Sequence, residues 1–272
     1  FLGNIREVDA IAHVLRCFED DVTHVFNSVD PIRDMEVINL ELCYSDIQIL
    51  EKRVIKLEKN KKNGDKDSIL EYELVETLMN TLNKGKRINI SDFDNSQKRI
   101  ISNLNLISSK PVIYVLNLGD NQIDTLKIEE LKKIIKSEGE TFVEIYGLLE
   151  NEIRDLENTE KQMFLSEYNI KKTGLDLLIN KAYDYLNLIT FYTAGPKECR
   201  AWSIINQSKA PVAAGKIHSD FQKGFIKAEV IKYSDFISAG SEDEAKKLGY
   251  LKSEGKDYIV EDGDMIHFRY NV

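Results

Sequence analysis

Leu40, Cys43, Ile47, Leu50, Val54 and Leu57 recur at alternating steps of three and four residues. An a/d seam of this kind commits its segment to a long helix whose apolar face must be covered by another helix. The helix is expected to stop at Lys59-Asn60-Lys61-Lys62-Asn63-Gly64-Asp65, a polar turn with glycine where a C′ residue sits. A second stripe follows, Leu70, Leu74, Val75, Leu78 and Leu82, and ends near Asn83-Lys84-Gly85. Two such helices joined by a short polar turn predict an antiparallel helical hairpin. A third helix is expected over 95–106.

On either side the pattern is that of buried strands. Residues 4–18 read as a short helix running into a strand, and the loop after them closes at Asp30-Pro31. Lys110-Pro111-Val112-Ile113-Tyr114-Val115-Leu116-Asn117 reads as a strand covered on both faces. A helix over 127–137, a strand at Thr141–Ile145 and helices near 157–168 and 174–186 follow. Strand–helix–strand order predicts an α/β fold with a doubly wound parallel sheet, into which the hairpin is inserted. After Leu188 the pattern changes again. Aromatic-rich strands flank Ala194-Gly195-Pro196-Lys197, helical pieces lie near 218–223 and 241–248, and strands are expected at 225–232, 258–260 and 265–270. The divisions read from this are 1–35 and 108–187 for the α/β domain, 36–107 for the helical arm and 188–272 for a small α+β domain.

Charge and composition exclude whole classes. With 46 acidic and 37 basic side chains the formal net charge is −9. No run of about 18 apolar residues exists to span a membrane. No basic stretch precedes an apolar one at the start, so no signal peptide is visible. The sequence opens with Phe and reads at once as the inside of a domain, the expectation for a fragment or processed product. Cys17, Cys43 and Cys199 are far apart and odd in number, which argues against a disulfide framework or zinc site and suits a reducing, cytoplasmic setting. The acidic run Glu19-Asp20-Asp21 reads as a solvated loop, because adjacent carboxylates converge on one cation only if the loop curls. His13 falls on an apolar run, the place of a core residue, and no metal set or catalytic triad is legible.

Six segments together resemble the Obg-like ATPase family of the YchF type, a branch of the translation-factor P-loop NTPases. They are NIREVDAIAHVLRCFEDD, VTHVFNSVDPIRDMEVINLEL, KPVIYVLNL, TFYTAGPKECRAW, APVAAGKIHSDFQKGFIKAEV and YIVEDGDMIHFRYNV. The resemblance runs from Phe1 to Val272 and implies part of a P-loop NTPase G domain with a coiled-coil arm. Residues 188–272 resemble a TGS domain, a ubiquitin-like β-grasp module. It also implies a complete protein that hydrolyses ATP with Mg²⁺ and associates with the ribosome or ribosomal RNA, with no DNA or membrane partner. The phosphate-binding G-x-x-x-x-G-K-[S/T] is not among these residues. Gly85, Gly215 and Gly255 each precede a lysine, but Arg87, Ile217 and Asp257 come next. No catalytic residue is therefore assigned, and the chain alone is expected to be inactive.

GTPases of this class read the base with N-K-x-D after a strand. This chain has Asn117-Leu118-Gly119-Asp120. By family analogy Asn117 contacts the purine, the Leu118 backbone meets the adenine edge, and Leu118 removes the lysine that would cover a base. Asp120 departs toward the GTPase pattern, so a GTPase stands as an alternative. Read without the family, Asn117 caps a turn after a strand. The second base loop falls at Tyr146-Gly147-Leu148-Leu149, where Gly147 lets backbone approach the base or simply starts a helix. Residues 51–66 carry seven Lys and Arg against three Asp and Glu, a local +4 at the far end of the hairpin. Lys59, Lys61 and Lys62 are the candidates for contact with RNA phosphates, the plainer reading being a solvated helix end. A non-catalytic RNA- or protein-binding module is the other alternative.

Overall fold

The computed structural model describes residues 2–271 except 22, 63, 120–122, 168–169, 171 and 196–197. It divides into two compact units, Phe1–Ala182 and Tyr183–Val272. In the first, α1 (Leu2–Glu7) leads into β1 (Ile11–Arg16). Three helices follow, α2 (Pro31–Lys62), α3 (Lys66–Leu82) and α4 (Asn95–Leu104). The chain then returns to β2 (Val112–Asn117), α5 (Thr125–Ser137) and β3 (Thr141–Ile145). Three further helices are α6 (Gly147–Glu152), α7 (Asn158–Glu167) and α8 (Gly174–Tyr185).

The three strands form a parallel sheet in the order β1-β2-β3. The register sets Arg16 and Ile145 on either side of Asn117. Central β2 is buried from Val112 to Leu116, as its unbroken apolar run requires. One core gathers Leu15, Met35, Tyr114, Leu116, Leu131 and Ile135 from strands, α2 and α5.

The long helix α2 faces two ways. Its first turns lie on the sheet, where Met35 joins that core and Asn39 hydrogen-bonds the Tyr114 hydroxyl (3.0 Å). Farther along, Cys43, Leu50 and Leu57 pack with Leu74, Val75, Leu78 and Leu82 of α3. Arg53 clamps Glu71 across the pair with two bonds, 2.6 and 2.8 Å. The seam thus begins at Cys43. Leu40 is 54% exposed and Leu70 62%, so the ends of both apolar stripes lie outside the helix contact. A straight helix of 3.6 residues per turn drifts away from a 3.5-residue seam, and α2 has already turned its buried face to the sheet at that end.

The fully buried Asp46 ties α2 to α1 and to the turn before β2. Its Oδ2 accepts from the Ser108 N–H and hydroxyl, both at 2.7 Å, and Arg6 lies 2.9 Å from Oδ1. Arg6 also donates to the Asn105 carbonyl and the Ser45 hydroxyl. Since α1 buries no residue of its own, this arginine is its main anchor.

The second unit begins with β4 (Leu188–Ala194), β5 (Cys199–Ile205), α9 (Ala210–Ile217) and α10 (Ser219–Lys223). It continues through β6 (Phe225–Lys232), α11 (Tyr233–Ala239), α12 (Glu242–Lys247), β7 (Lys252–Glu254) and β8 (Asp264–Tyr270). The sheet order is β5-β4-β8-β6-β7, with β4 and β8 parallel and the other pairs antiparallel. Ala210, Ala213 and Ala214 let α9 lie close on Phe191, Phe225 and Phe268. The strand expected at 258–260 is instead one bridge between Lys209 and Ile259, because its flanking groups bond Ala210 and Ser208 of the loop into α9. Buried Asp264 accepts from Lys232 and the Tyr258 hydroxyl, both at 2.7 Å, and pins that loop. No described helix is long and apolar enough to cross a membrane.

His13 pairs with Tyr114 in the sheet register and is half-buried, not enclosed in the core. Burial, aided by the charge of Arg87, lowers its pKa to about 4. The unfolded chain binds this proton below about pH 6.5 and the folded chain does not, so stability falls as pH drops from about 6.5 toward 4. We expect the loss to approach 3 kcal/mol, roughly two and a half pK units. His13→Gln should flatten the pH dependence of denaturant midpoints in that window. An unchanged slope would show that His13 titrates normally.

Candidate functional site

In a parallel sheet, chemistry collects in the loops beyond the carboxyl ends of the strands. Here β1, β2 and β3 end side by side at Arg16, Asn117 and Ile145. Backbone bonds lace the three loops together. The Cys17 N–H donates to the Asn117 carbonyl (2.9 Å), the Leu118 N–H to the Ile145 carbonyl (2.8 Å) and the Ile123 N–H to the Cys17 carbonyl (3.2 Å).

Asn117 and Gly147 meet. The Gly147 N–H donates to Asn117 Oδ1 at 3.1 Å, so the side chain at the end of β2 is held by the first turn of α6. A Cβ on residue 147 would stand 2.9 Å from that oxygen, which explains glycine at the contact. Gly119 is equally tight, with a Cβ there coming within 3.0 Å of the Phe18 side chain. Leu118 points away from the loop surface, is 5% exposed and belongs to the core beneath the sheet. Its N–H is engaged by Ile145, so the backbone group it can offer a ligand is its carbonyl. Asp120 lies outside the described residues.

Several contributors were not singled out from the sequence. Arg16 donates to the Phe18 and Asp20 carbonyls and stacks 4.9 Å over the Phe18 ring, shaping the loop after β1. Glu150 of α6 accepts the Gly174 N–H (2.5 Å) and the Leu175 N–H (3.2 Å), placing a carboxylate on the positive end of α8. A Cβ on Gly174 would come 2.2 Å from Ile145 Cγ2, so only glycine lets α8 sit against the end of β3. The Thr173 hydroxyl accepts the Asp176 N–H at 3.1 Å, and Thr173-x-x-Asp176 was a legible cap signal. Cys17 is fully buried, and burial with the nearby Glu144 raises its thiol to about 12, so it is no nucleophile. Among the described residues, no three His, Cys, Asp or Glu side chains converge as a metal site.

The basic tip is a separate place. Lys59, Lys61 and Lys62 form the last turn of α2 and are exposed. Lys61 is also structural, since its ammonium stands 4.1 Å over the Tyr72 ring on α3.

Known proteins decide the family. A chain from Bacillus subtilis (strain 168), "Ribosome-binding ATPase YchF", is 42% identical over 277 residues, which cover all of this chain and 76% of that protein. This chain belongs to the YchF family. A YchF relative with the same name from Escherichia coli O157:H7 is 39% identical, again over the whole chain and 76% of its own length. The family model YchF-GTPase_C, described as "Protein of unknown function (DUF933)", matches residues 188–271. Among solved structures, the Schizosaccharomyces pombe YchF GTPase aligns with a TM-score of 0.84 at 31% identity, covering 98% of this chain and 74% of that one. The mixed α/β fold with one parallel and one mixed sheet is that of YchF structures.

The bond between Asn117 and Gly147 is testable without ligand. Asn117→Ala should speed amide exchange at Gly147 about tenfold, roughly one hydrogen bond. Asn117→Asp, which keeps the acceptor, should leave it near the parent rate. Equal exchange in parent and Ala variant would show that α6 is held by something else.

Proposed function

We propose that this chain supplies the base-recognising edge of a YchF-type ATPase, together with an arm that reaches ribosomal RNA. The observation that carries the reading is the Asn117–Gly147 clamp at the end of the central strand. With Oδ1 occupied by Gly147, the Asn117 amide offers its Nδ2 donor, which suits N7 of a purine. The Leu118 carbonyl is an acceptor, complementary to the adenine amino group and not to the guanine O6. The buried Leu118 side chain leaves no long residue at this position to lie over the base. The residues thus fit the base half of an ATP site.

The phosphate half is assigned elsewhere. Without G-x-x-x-x-G-K-[S/T] these residues have no loop to cradle phosphates, and phosphoryl transfer depends on positioned phosphates and Mg²⁺. That chemistry belongs to the share of the relatives, about a quarter, that this chain does not match. When bound, Mg²⁺ would neutralise phosphate charge, while this chain's part is to hold and select the base. The purified 272-residue chain should show no magnesium-dependent ATP turnover above a contaminant control, and turnover would refute the division.

In this reading residues 36–107 are the inserted coiled-coil arm, 1–35 and 108–187 belong to the G domain, and 188–272 form the TGS β-grasp unit. The setting is cytoplasmic. Asp120 is where a GTPase reading enters, and the Schizosaccharomyces pombe relative is titled a GTPase. In a chain extended to the full family length, ATP should outcompete GTP. Tighter GTP binding that Asp120→Glu reverses would place the selection at Asp120.

The curated relatives are named ribosome-binding, and the arm's basic end supports a phosphate contact. Because Lys61 packs on Tyr72, the clean test is Lys59→Ala with Lys62→Ala. Each lost phosphate contact should cut affinity and flatten its salt dependence. Co-sedimentation with ribosomes equal to the parent at every salt concentration would reduce the tip to a solvated helix end.

A further inference from the structure

A groove of about 1090 Å³ runs between α3 and α4, lined by residues that take no part in the base-recognising site or the basic tip. Its floor is apolar, with Leu74 buried, Ile100 half-buried and Leu70 left 62% exposed. An exposed leucine on the inner line of a helix stripe has the helical spacing of a contact residue but no helix over it. The rim is acidic. Asp67, Glu73 and Asp94 line it, all exposed, and none of the three is in an ion pair among the described residues. Hydrogen bonds from Ser96 and Gln97 lower the Asp94 pKa and keep it ionised. Helix α3 as a whole carries Asp67, Glu71, Glu73 and Glu76 against the single Lys66, and Arg53 already neutralises Glu71. One cation, Arg99, stands on the α4 wall.

We propose that this groove docks a lysine- and arginine-rich amphipathic helix of a partner protein. Asp67, Leu70, Leu74 and Thr77 share one face of α3 and span about 15 Å, the length of roughly three helical turns. Apolar residues spaced i, i+3 and i+7 on the incoming helix would cover Leu70 and Ile100. Its basic flanks would meet Asp67, Glu73 and Asp94, and an acidic group near one end would meet Arg99. Helix-in-groove recognition supplies affinity through the apolar face and orientation through charge. Charge excludes RNA from the groove, since phosphates would face three carboxylates. The arm then presents two surfaces of opposite sign, a basic tip and an acidic flank. The docking proposal stands on the flank alone and survives failure of the nucleotide or RNA reading.

The probe is a fluorescently labelled 14-residue helix-forming peptide with leucines at those spacings and Lys or Arg on the flanks, titrated by anisotropy against the full chain. We expect Asp67→Lys with Glu73→Lys to weaken binding at least tenfold, and Leu70→Asp at least fivefold, with melting temperatures lowered only slightly, since these side chains are exposed and Asp67 alone gives up a favourable charge in the first turn of α3. Glu152→Lys with Glu160→Lys, the same charge change on α6 and α7, should leave affinity within twofold. A peptide with serine for leucine should bind at least tenfold more weakly. Equal losses in both charge-reversed variants, or full binding by the serine peptide, would mean that the net charge of −9 merely attracts cations and would overturn the proposal. Displacement of the peptide by a short oligoribonucleotide would overturn it in favour of RNA. Self-association of the parent chain that the Asp67/Glu73 variant abolishes would overturn it in favour of a second copy.

Discussion

A strand buried on both faces can offer chemistry only at its end, and β2 is such a strand. From Val112 to Leu116 every side chain is enclosed. Asn117 is the first residue released from the core, and its position is set by hydrogen bonds to the strands on both sides. The loops that converge there are built from residues that admit no alternative size. Gly147 faces an amide oxygen, Gly119 a phenylalanine and Gly174 an isoleucine. Tolerance at these contacts is tenths of an ångström, which is what positioning a flat, polar ligand edge requires.

The arm is tied to the same sheet by α2, whose two ends serve different partners. Near the sheet its buried polar residues, Asn39 and Asp46, each find partners more than sixty positions away in the chain. Such pairs leave little freedom, because breaking one strands a buried polar group at a cost of about 1–3 kcal/mol. Toward the tip the contacts are the interchangeable leucines of a helix pair. The base of the arm is therefore specified by buried polar pairs, and the distal part is held mainly by apolar packing.

Much of this was legible because the signals were local and periodic. The apolar run 110–117, the two helix stripes and the cap residues each announce their element within a few positions. The family resemblance rested on segments that hold all or most of β1, β2, β4, β5, β6 and β8 together with the start of α2 and the helices α9 and α10. What escaped depends on distant partners. Leu40 and Leu70 fit their stripes, but only the packed helices show that the seam ends before them. The strand expected at 258–260 has the right residues and is diverted by hydrogen bonds to Ser208 and Ala210. Helix α9 was missed because alanines carry no strong periodic signal, though they are what permits its close approach to the sheet. The Asn117–Gly147 contact joins residues thirty apart, and neither residue type alone announces it. From sequence Lys61 reads as an RNA-contact candidate or a solvated helix end, and only the packed helices set its ammonium over the Tyr72 ring.

The central claim is that the ends of β2 and β3 recognise a purine base. Amide and side-chain chemical-shift mapping on an isotope-labelled, full-length family protein carrying this sequence, titrated with ATP, tests it most directly. The expected result is perturbation of the Asn117 side-chain amide and the Gly147 backbone amide, together with Leu118. Saturable ATP binding that leaves the Asn117 and Gly147 resonances in place would contradict it.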